Sequence, residues 1–175
     1  MIILEDTRNQ VGKHNLKNAY FESHGILVRR TKLYVGDYTL PTNQGICIDT
    51  KEDLQELIND VQHDHERFRN EMLRATESGI KLIILVENEG RYVDYRKTIW
   101  NATVRSIDDL NNWKNPRLFI KKNGKPVYPK AMPGTQLAKI CHTMEERYGC
   151  KFIFCKPDEA AELIVKILQG EYKDA

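Results

Sequence analysis

The sequence predicts an α/β fold in which helices flank one mixed β-sheet. Two runs, residues 81–86 and Lys151–Cys155, are almost continuously apolar, as in central strands that are covered on both faces. Elsewhere, segments with apolar residues at helical spacing alternate with further strand-like runs. Strands that alternate with helices in this way are typical of layered α/β sandwiches.

The first predicted elements are a short apolar strand at residues 1–5 and a helix at residues 15–24. The helix carries apolar residues at positions i, i+3 and i+4 counted from Leu16, and it ends at Gly25. A second strand is predicted at residues 26–30, directly after that glycine.

A β-hairpin is predicted over residues 32–50, because two runs of alternating apolar and polar residues flank a Pro-Thr-Asn-Gln-Gly turn at residues 41–45. The periodicity then changes at once. Residues 54–61 carry a helical apolar stripe, and the acidic Glu52 and Asp53 stand at its start, where the helix dipole favours them.

The remaining elements follow the same rules of periodicity and turn chemistry. In chain order they are a helix at 64–78, the strand at 81–86, a short helix at 104–112, a hairpin at 118–128 built on Asn123-Gly124, a helix from 135 that stops at Gly149, the strand at 151–155 and a last helix from 157.

Length and composition limit the class of protein. A chain of 175 residues with 41% hydrophobic residues is sufficient for one packed domain, so we expect a single domain over 1–175 with an irregular insertion at about 90–131. The net charge of +2 is compatible with a local nucleic-acid-binding patch. There is no signal-peptide pattern, no run of eighteen apolar residues and no CxxC pair among the four cysteines. We therefore expect a cytoplasmic protein, intracellular or nucleoid-associated, with reduced thiols and no membrane contact.

The predicted hairpin carries the candidate chemistry. Asp37 lies near the start of its first run, whereas Asp49 and Lys51 end the second run and, being two residues apart, share one face of a strand. Two carboxylates and an amine at one point could hold a divalent cation beside a second, protein-borne cation. Alternatively, Asp37 is a turn residue, and Asp49 and Lys51 form an exposed ion pair worth under about 1 kcal/mol.

Three motifs in order, Asp6-Thr-Arg8, Val35-Gly-Asp37-Tyr38 and Asp49-Thr-Lys51, resemble the nuclease domain of the XPF/Hef structure-specific endonucleases, which belong to the PD-(D/E)xK superfamily. The resemblance implies a restriction-endonuclease-like mixed sheet and a Mg²⁺ or Mn²⁺ site. It implies these roles: Asp6, Asp37 and Asp49 as acidic metal-site and catalytic residues, Lys51 as the catalytic lysine, and Arg8 and Arg67 as supporting basic residues that contact DNA.

The chain departs from the family pattern at three points. The family's Glu-Arg-Lys is Asp49-Thr50-Lys51 here, so the middle arginine and its phosphate contact are missing. Arg67 lies further from the lysine than in the family. No helix-hairpin-helix module is seen within the 175 residues, so we expect a stand-alone nuclease, and the substrate geometry cannot be transferred from the family.

The insertion interleaves aromatic and basic residues, a composition typical of surfaces that follow phosphates and stack on unpaired bases. We predict DNA contacts from Arg96, Lys97 and Trp100. Alternatively, Trp100 and Trp113 anchor the insertion to the core. The positive bias continues at Lys114, Arg117, Lys121, Lys122, Lys125 and Lys130.

The leading hypothesis is a Mg²⁺- or Mn²⁺-dependent DNA endonuclease that cuts branched DNA (flap, fork or junction) in repair or recombination. Because family members work as paired domains, we also expect a homodimer, with the apolar faces of the helices at 137–144 and 163–168 as the interface. One alternative is a non-catalytic DNA-binding or scaffolding module that pairs with a partner nuclease. Another is a restriction or repair nuclease from a different branch of the superfamily.

Overall fold

The computed structural model describes residues 1–10, 12, 14–90, 92–94 and 98–173, with only the backbone described for 92–94 and 98–100. Its helices are α1 (Asn15–Ser23), α2 (Leu54–Gln62), α3 (His65–Glu77), α4 (Gly134–Tyr148) and α5 (Ala160–Gln169). Its strands are β1 (Ile2–Asp6), β2 (Leu27–Thr31), β3 (Tyr38–Leu40), β4 (Asn43–Lys51), β5 (Lys81–Glu87), β6 (Tyr92–Asp94), β7 (Thr98–Trp100), β8 (Lys121–Lys122), β9 (Lys125–Pro126) and β10 (Lys151–Cys155).

Six strands form one mixed sheet in the order β10-β5-β4-β3-β1-β2. Strands β10, β5 and β4 run parallel to one another, β3 is antiparallel to both β4 and β1, and β1 is parallel to β2. Strand β4 therefore lies inside the sheet, where the parallel part meets the antiparallel hairpin. The predicted mixed sheet and the pairing of β3 with β4 are confirmed, but the first strand of the hairpin begins at Tyr38 and not at residue 32 as predicted.

Helices cover both faces of the sheet, and the alternation of side chains along β5 connects the two layers. Leu82, Ile84 and Val86 pack with α2, α3 and α4 on one face. Ile83 and Leu85 pack with α1 and α5 on the other face. This two-sided burial explains the continuous apolar run that identified β5 in the sequence.

The C-terminal helices contribute their apolar faces to these core layers. Leu137 and Cys141 of α4 are fully buried in one layer, and Ile164 and Ile167 of α5 are buried in the other. Most of the two faces predicted as a dimer interface is therefore covered by the core of the same chain, whereas Ile140, Met144 and Leu163 are only partly buried. An interface at these faces stays a prediction, as does the homodimer itself.

The region after β5 is built from short elements. Strands β6 and β7 pair, a 3₁₀ helix at Asp108–Asn111 replaces the predicted helix at 104–112, and a second 3₁₀ helix spans Pro116–Phe119. Strands β8 and β9 form the predicted hairpin, whose two turn residues both have positive φ, 50° at Asn123 and 76° at Gly124. Among the described residues, no helix combines the length and apolar character needed to cross a bilayer.

Candidate active site

A cleft of about 240 Å³ opens beside the hairpin, at the end of β4. It is lined by residues from the end of β1, the start of β3, the end of β4 and the inner sides of α2 and α3. The cleft brings together every predicted site residue whose side chain the structure describes: Asp6, Arg8, Asp37, Asp49, Lys51 and Arg67.

Asp37 is fixed against β4 by main-chain and side-chain hydrogen bonds. Its amide donates to the Ile48 carbonyl at 2.7 Å. Its Oδ2 accepts from the Thr50 amide at 2.8 Å and from the Thr50 hydroxyl at 2.6 Å. Thr50, which stands where the family pattern has an arginine, therefore orients the Asp37 carboxylate.

Lys51 lies between two buried carboxylates. Its Nζ is 2.6 Å from Asp49 Oδ2 and 2.6 Å from Asp60 Oδ2. Asp60 Oδ1 in turn accepts from Arg67 Nη2 at 2.9 Å. Asp49, Lys51 and Asp60 are each no more than 6% exposed. These contacts rule out the exposed surface pair that the sequence left open for Asp49 and Lys51.

The charges of this cluster fix the protonation of Lys51. Burial by itself lowers the pKa of its amine, but the carboxylates of Asp49 and Asp60 outweigh burial and hold that pKa above its usual range. Burial also raises the pKa of the Asp49 carboxyl, against the opposing effect of Lys51, and the nearby Asp37 and Glu71 raise it further. The charged form of Lys51 is therefore favoured, and it is suited to stabilising negative charge rather than to accepting a proton.

Asp6 binds Arg8 with both of its carboxylate oxygens. Oδ1 accepts from the Arg8 amide at 2.7 Å and from its Nε at 2.9 Å, and Oδ2 accepts from Arg8 Nη2 at 2.6 Å and from the Leu33 amide at 3.0 Å. Although burial raises the pKa of Asp6, these hydrogen bonds hold it below its usual value. Asp6 thus fixes Arg8 at the cleft, and its predicted role as a metal ligand stays a prediction.

Two acidic residues of the site, Asp60 and Glu71, were not identified from the sequence. Glu71, on α3, is 7% exposed, and its Oε1 accepts from the Gly36 amide at 2.9 Å. Each of them lies on the inward side of its helix, three residues after a buried apolar residue, Leu57 or Phe68. A carboxylate at an inward-facing helical position was the signal that could have found them.

The profile of the ERCC4 domain family matches residues 6–167. The chain belongs to the ERCC4 domain family. This confirms the resemblance found in the sequence and supports a role in DNA binding or DNA cleavage. A search among curated proteins found no match.

The ERCC4 domain is also similar to solved structures of XPF from Aeropyrum pernix. One has a TM-score of 0.60 at 15% identity and covers 99% of this chain and 66% of its own. A structure of the same protein in complex with DNA has a TM-score of 0.58 at 15% identity, covering 96% and 63%. The ERCC4 domain therefore shares their fold and spans just under two thirds of their length.

The predicted Mg²⁺ or Mn²⁺ site stays a prediction, for which Asp37 and Asp49 are candidate ligands at the cleft. Across the described part of the chain, no group of three or more His, Cys, Asp or Glu side chains is arranged to hold a metal. Asp37 and Asp49 both line the cleft, where burial raises the pKa of the Asp49 carboxyl. Mg²⁺ commonly takes one or two carboxylates and keeps its remaining ligands as water, which suits such a pair.

The predicted DNA contacts in the insertion are not among the described side chains. Arg96 and Lys97 lie outside the described residues, and only the backbone of Trp100 is described. Trp113 packs partly buried against the core, as expected for an anchor of the insertion.

Proposed function

We propose that this ERCC4 domain is a metal-dependent endonuclease that hydrolyses phosphodiester bonds in DNA. The observation that carries the proposal is the cleft in which Asp37, Asp49 and Lys51 converge, with Lys51 held as a buried cation at 2.6 Å from each of two carboxylates. A carboxylate pair beside a fixed cation matches the needs of phosphoryl transfer, where negative charge grows in the transition state.

We assign a separate role to each charged side chain of the cleft. Asp37 and Asp49 would hold Mg²⁺ or Mn²⁺, and such a cation, when bound, lowers the pKa of a water ligand and neutralises charge on the phosphate. Lys51 supplies a hydrogen-bond donor to the developing oxyanion. Arg8 and Arg67, whose side chains are 53% and 64% exposed, are accessible for phosphates of the bound strand.

We further propose that the substrate is branched DNA, cut in repair or recombination by an intracellular homodimer. The existence of a DNA complex for the similar XPF from Aeropyrum pernix supports DNA as the ligand. A reducing compartment agrees with the four cysteines, all of which are free and buried. Light scattering of the purified protein tests the dimer, which a monomeric mass would contradict.

Cleavage assays test the proposed reaction. Labelled flap, fork and Holliday-junction DNA are incubated with the protein in Mg²⁺, in Mn²⁺ and in EDTA. We expect metal-dependent cleavage that Asp37→Ala abolishes and that the control Asp158→Ala, an exposed aspartate outside the cleft, leaves unchanged. Absence of cleavage in both metals, or cleavage that survives in Asp37→Ala, overturns the proposal.

A non-catalytic DNA-binding or scaffolding module is the second candidate. Two observations on the described residues favour it: both Asp6 oxygens are occupied by Arg8, and no three-ligand metal group is present. Thermal unfolding with and without Mn²⁺ separates the two functions, because a ligand that binds only the folded state raises the melting temperature. A metal-binding site predicts a rise that is lost in Asp49→Asn, whereas the non-catalytic module predicts no rise in either protein.

A further inference from the structure

Positive charge is concentrated in one continuous part of the chain. Residues 110–144 contain no Asp or Glu but seven of the 27 Lys and Arg residues, whereas the rest of the chain carries 20 basic and 25 acidic residues. Every residue from 121 to 130 is exposed. A chain with a net charge of only +2 therefore presents a local basic surface, which is a feature of nucleic-acid-binding proteins.

An exposed aromatic ring lies within this basic surface. The Tyr128 ring is backed by the Arg117 guanidinium, whose carbon is 5.1 Å from the ring centroid. Tyr128 is 41% exposed, and its neighbour Val127 is 42% exposed. A tyrosine that is held by a cation–π contact and remains exposed can stack on an unpaired base.

The surface is fixed to the helix that supports the candidate active site. Asn115 is fully buried, donates to the Met132 carbonyl at 2.8 Å and accepts from Gln55 of α2 at 2.7 Å. Gln62 at the end of α2 donates to the Lys130 carbonyl at 3.0 Å. The same helix carries Asp60, the partner of Lys51, so the position of the basic surface is defined relative to the cleft.

Neighbouring hollows connect the basic surface to the cleft. A hollow of about 210 Å³ is lined by Arg117, Tyr128 and His63. His63 also lines a second hollow, together with Arg67 and Arg74, and these two arginines line the active cleft as well. Shared lining residues therefore connect the cleft past α3 to Tyr128. Arg67, Arg74 and Arg117 are basic side chains along this path, and Asp64 and Glu66 also line its middle hollow.

We propose that Arg117, Lys121, Lys122, Lys125, Tyr128 and Lys130, together called the Tyr128 platform, bind unpaired nucleotides next to the cleavage site. The lysines neutralise phosphates, and Tyr128 stacks on one base. This inference rests on the proposed function in that it takes DNA as the ligand. Unpaired DNA fits better than duplex, because a stacking ring needs a base that is not already stacked within a helix.

Binding measured by fluorescence anisotropy in EDTA, where metal-dependent cleavage cannot occur, tests the platform. The probes are a blunt duplex and two versions of the same duplex, each with a tail of about 12 thymidines at one of its two ends. We expect Tyr128→Ala to weaken binding of the tailed probe at least about fivefold, to leave blunt-duplex binding unchanged, and to be rescued by Tyr128→Phe.

A charge-matched pair of triple variants completes the test. Replacing Lys121, Lys122 and Lys125 by alanine should make the dependence of log Kd on log salt concentration shallower by about 2 for the tailed probe. Replacing the exposed Lys151, Lys166 and Lys173 removes the same charge elsewhere and should leave that slope unchanged. Circular dichroism confirms that each variant is folded.

Several results overturn the platform. The platform is overturned if Tyr128→Ala binds the tailed probe as the wild type does, or if it weakens binding of the tailed and blunt probes equally. It is also overturned if the two triple variants have equal salt slopes, or if polyglutamate displaces the tailed probe as readily as oligothymidine does. Failure of the platform and failure of the nuclease are distinguishable. If Tyr128→Ala loses tail binding but the wild-type protein cleaves no DNA, only the proposed nuclease is overturned. If the wild-type protein shows Asp37-dependent cleavage but Tyr128→Ala keeps its tail binding, only the platform is overturned.

Discussion

Lys51 has two carboxylate partners, and only one of them is a proposed metal ligand. Asp49 shares its strand, whereas Asp60 reaches it from α2 and also binds Arg67. If a metal draws the Asp49 carboxylate into its own coordination, Asp60 remains to hold the lysine. We therefore infer that Asp60 positions Lys51.

Replacing Asp60 by asparagine tests this positioning. The change removes a negative charge 2.6 Å from Lys51 Nζ while keeping the shape of the side chain. We expect kcat to fall about tenfold to a hundredfold because the lysine loses its fixed position, with DNA affinity in EDTA changed less than about twofold. Glu77→Gln, an exposed change at the end of α3 and outside the cleft and its neighbouring hollows, is the control. Wild-type kcat in Asp60→Asn contradicts the inference.

Local motifs and the family resemblance identified most of the residues of the cleft, but Asp60 and Glu71 were missed because they belong to no such motif. Asp37, Asp49 and Lys51 were predicted because the hairpin pattern and strand alternation place them together. The contact between Asp60 and Lys51 depends on how α2 packs against the sheet, and no local pattern encodes that distance. For the same reason, Thr50 was seen as a missing arginine and not as a hydrogen-bond donor to Asp37.

At the scale of elements, the entry into β3 depends on a glycine. Gly36 has a φ of 70°, and a Cβ atom at this position would lie 2.9 Å from the Ile48 carbonyl oxygen. Its amide also donates to Glu71. The close approach of β3 to β4, and with it the position of Asp37, therefore requires the absence of a side chain at residue 36.

Alanine at residue 36 should destabilise the protein more than alanine at a comparable open position. Gly25→Ala is the matched control, because Gly25 also has a positive φ (64°) but a Cβ atom there would meet nothing within 4 Å. We expect both variants to lose about 1 kcal/mol from the left-handed backbone, and Gly36→Ala to lose a further ~1–3 kcal/mol from the contact. Urea unfolding measures the difference, and equal losses would show that the contact relaxes freely.

Apart from β3, which begins six residues later than predicted, the strands of the main sheet and the helices α1 to α5 were predicted within about three residues, whereas the insertion was predicted only in part. The β8–β9 hairpin followed from Asn123-Gly124, whose positive φ values suit a two-residue turn. The predicted helix at 104–112 became a single 3₁₀ turn, because the segment is held by contacts with the rest of the chain. Asn88 provides two of them, donating to the Val104 carbonyl and accepting from its amide.

At the scale of the whole molecule, a buried ion pair joins the first helix to the sheet. Lys17 of α1 and Glu87 at the end of β5 form a salt bridge, and they are 4% and 5% exposed. Burial raises the pKa of the Glu87 carboxyl, with Lys17 acting in the opposite direction. Such a pair contributes little net stability compared with apolar residues, but each charge is costly without the other.

A double-mutant cycle measures this coupling. Lys17→Met leaves a buried carboxylate without its cation and should cost about 3–5 kcal/mol of unfolding free energy. The double variant Lys17→Met/Glu87→Gln should be more stable than Lys17→Met alone, because the orphaned charge is gone. Unfolding in urea at neutral pH gives all four free energies. A double variant whose loss equals the sum of the two single losses would show that the pair is uncoupled.

The global arrangement also decided which surfaces remain available for assembly. Apolar stripes on α4 and α5 suggested an interface, yet most residues of both stripes pack in the core. A stripe in the sequence shows that a helix face is buried but not what covers it. That distinction requires the complete packing of the chain.

The reactivity of the four buried thiols can be used to measure local opening of the structure. Cys47, Cys141, Cys150 and Cys155 are each at most 4% exposed, and burial raises the pKa of every one of them. A thiol reagent needs both access and the thiolate, so labelling can proceed only in molecules that have transiently opened. Because Cys155 packs in one core layer and the other three in the opposite layer, pulsed alkylation with peptide mass spectrometry would time the opening of each layer separately.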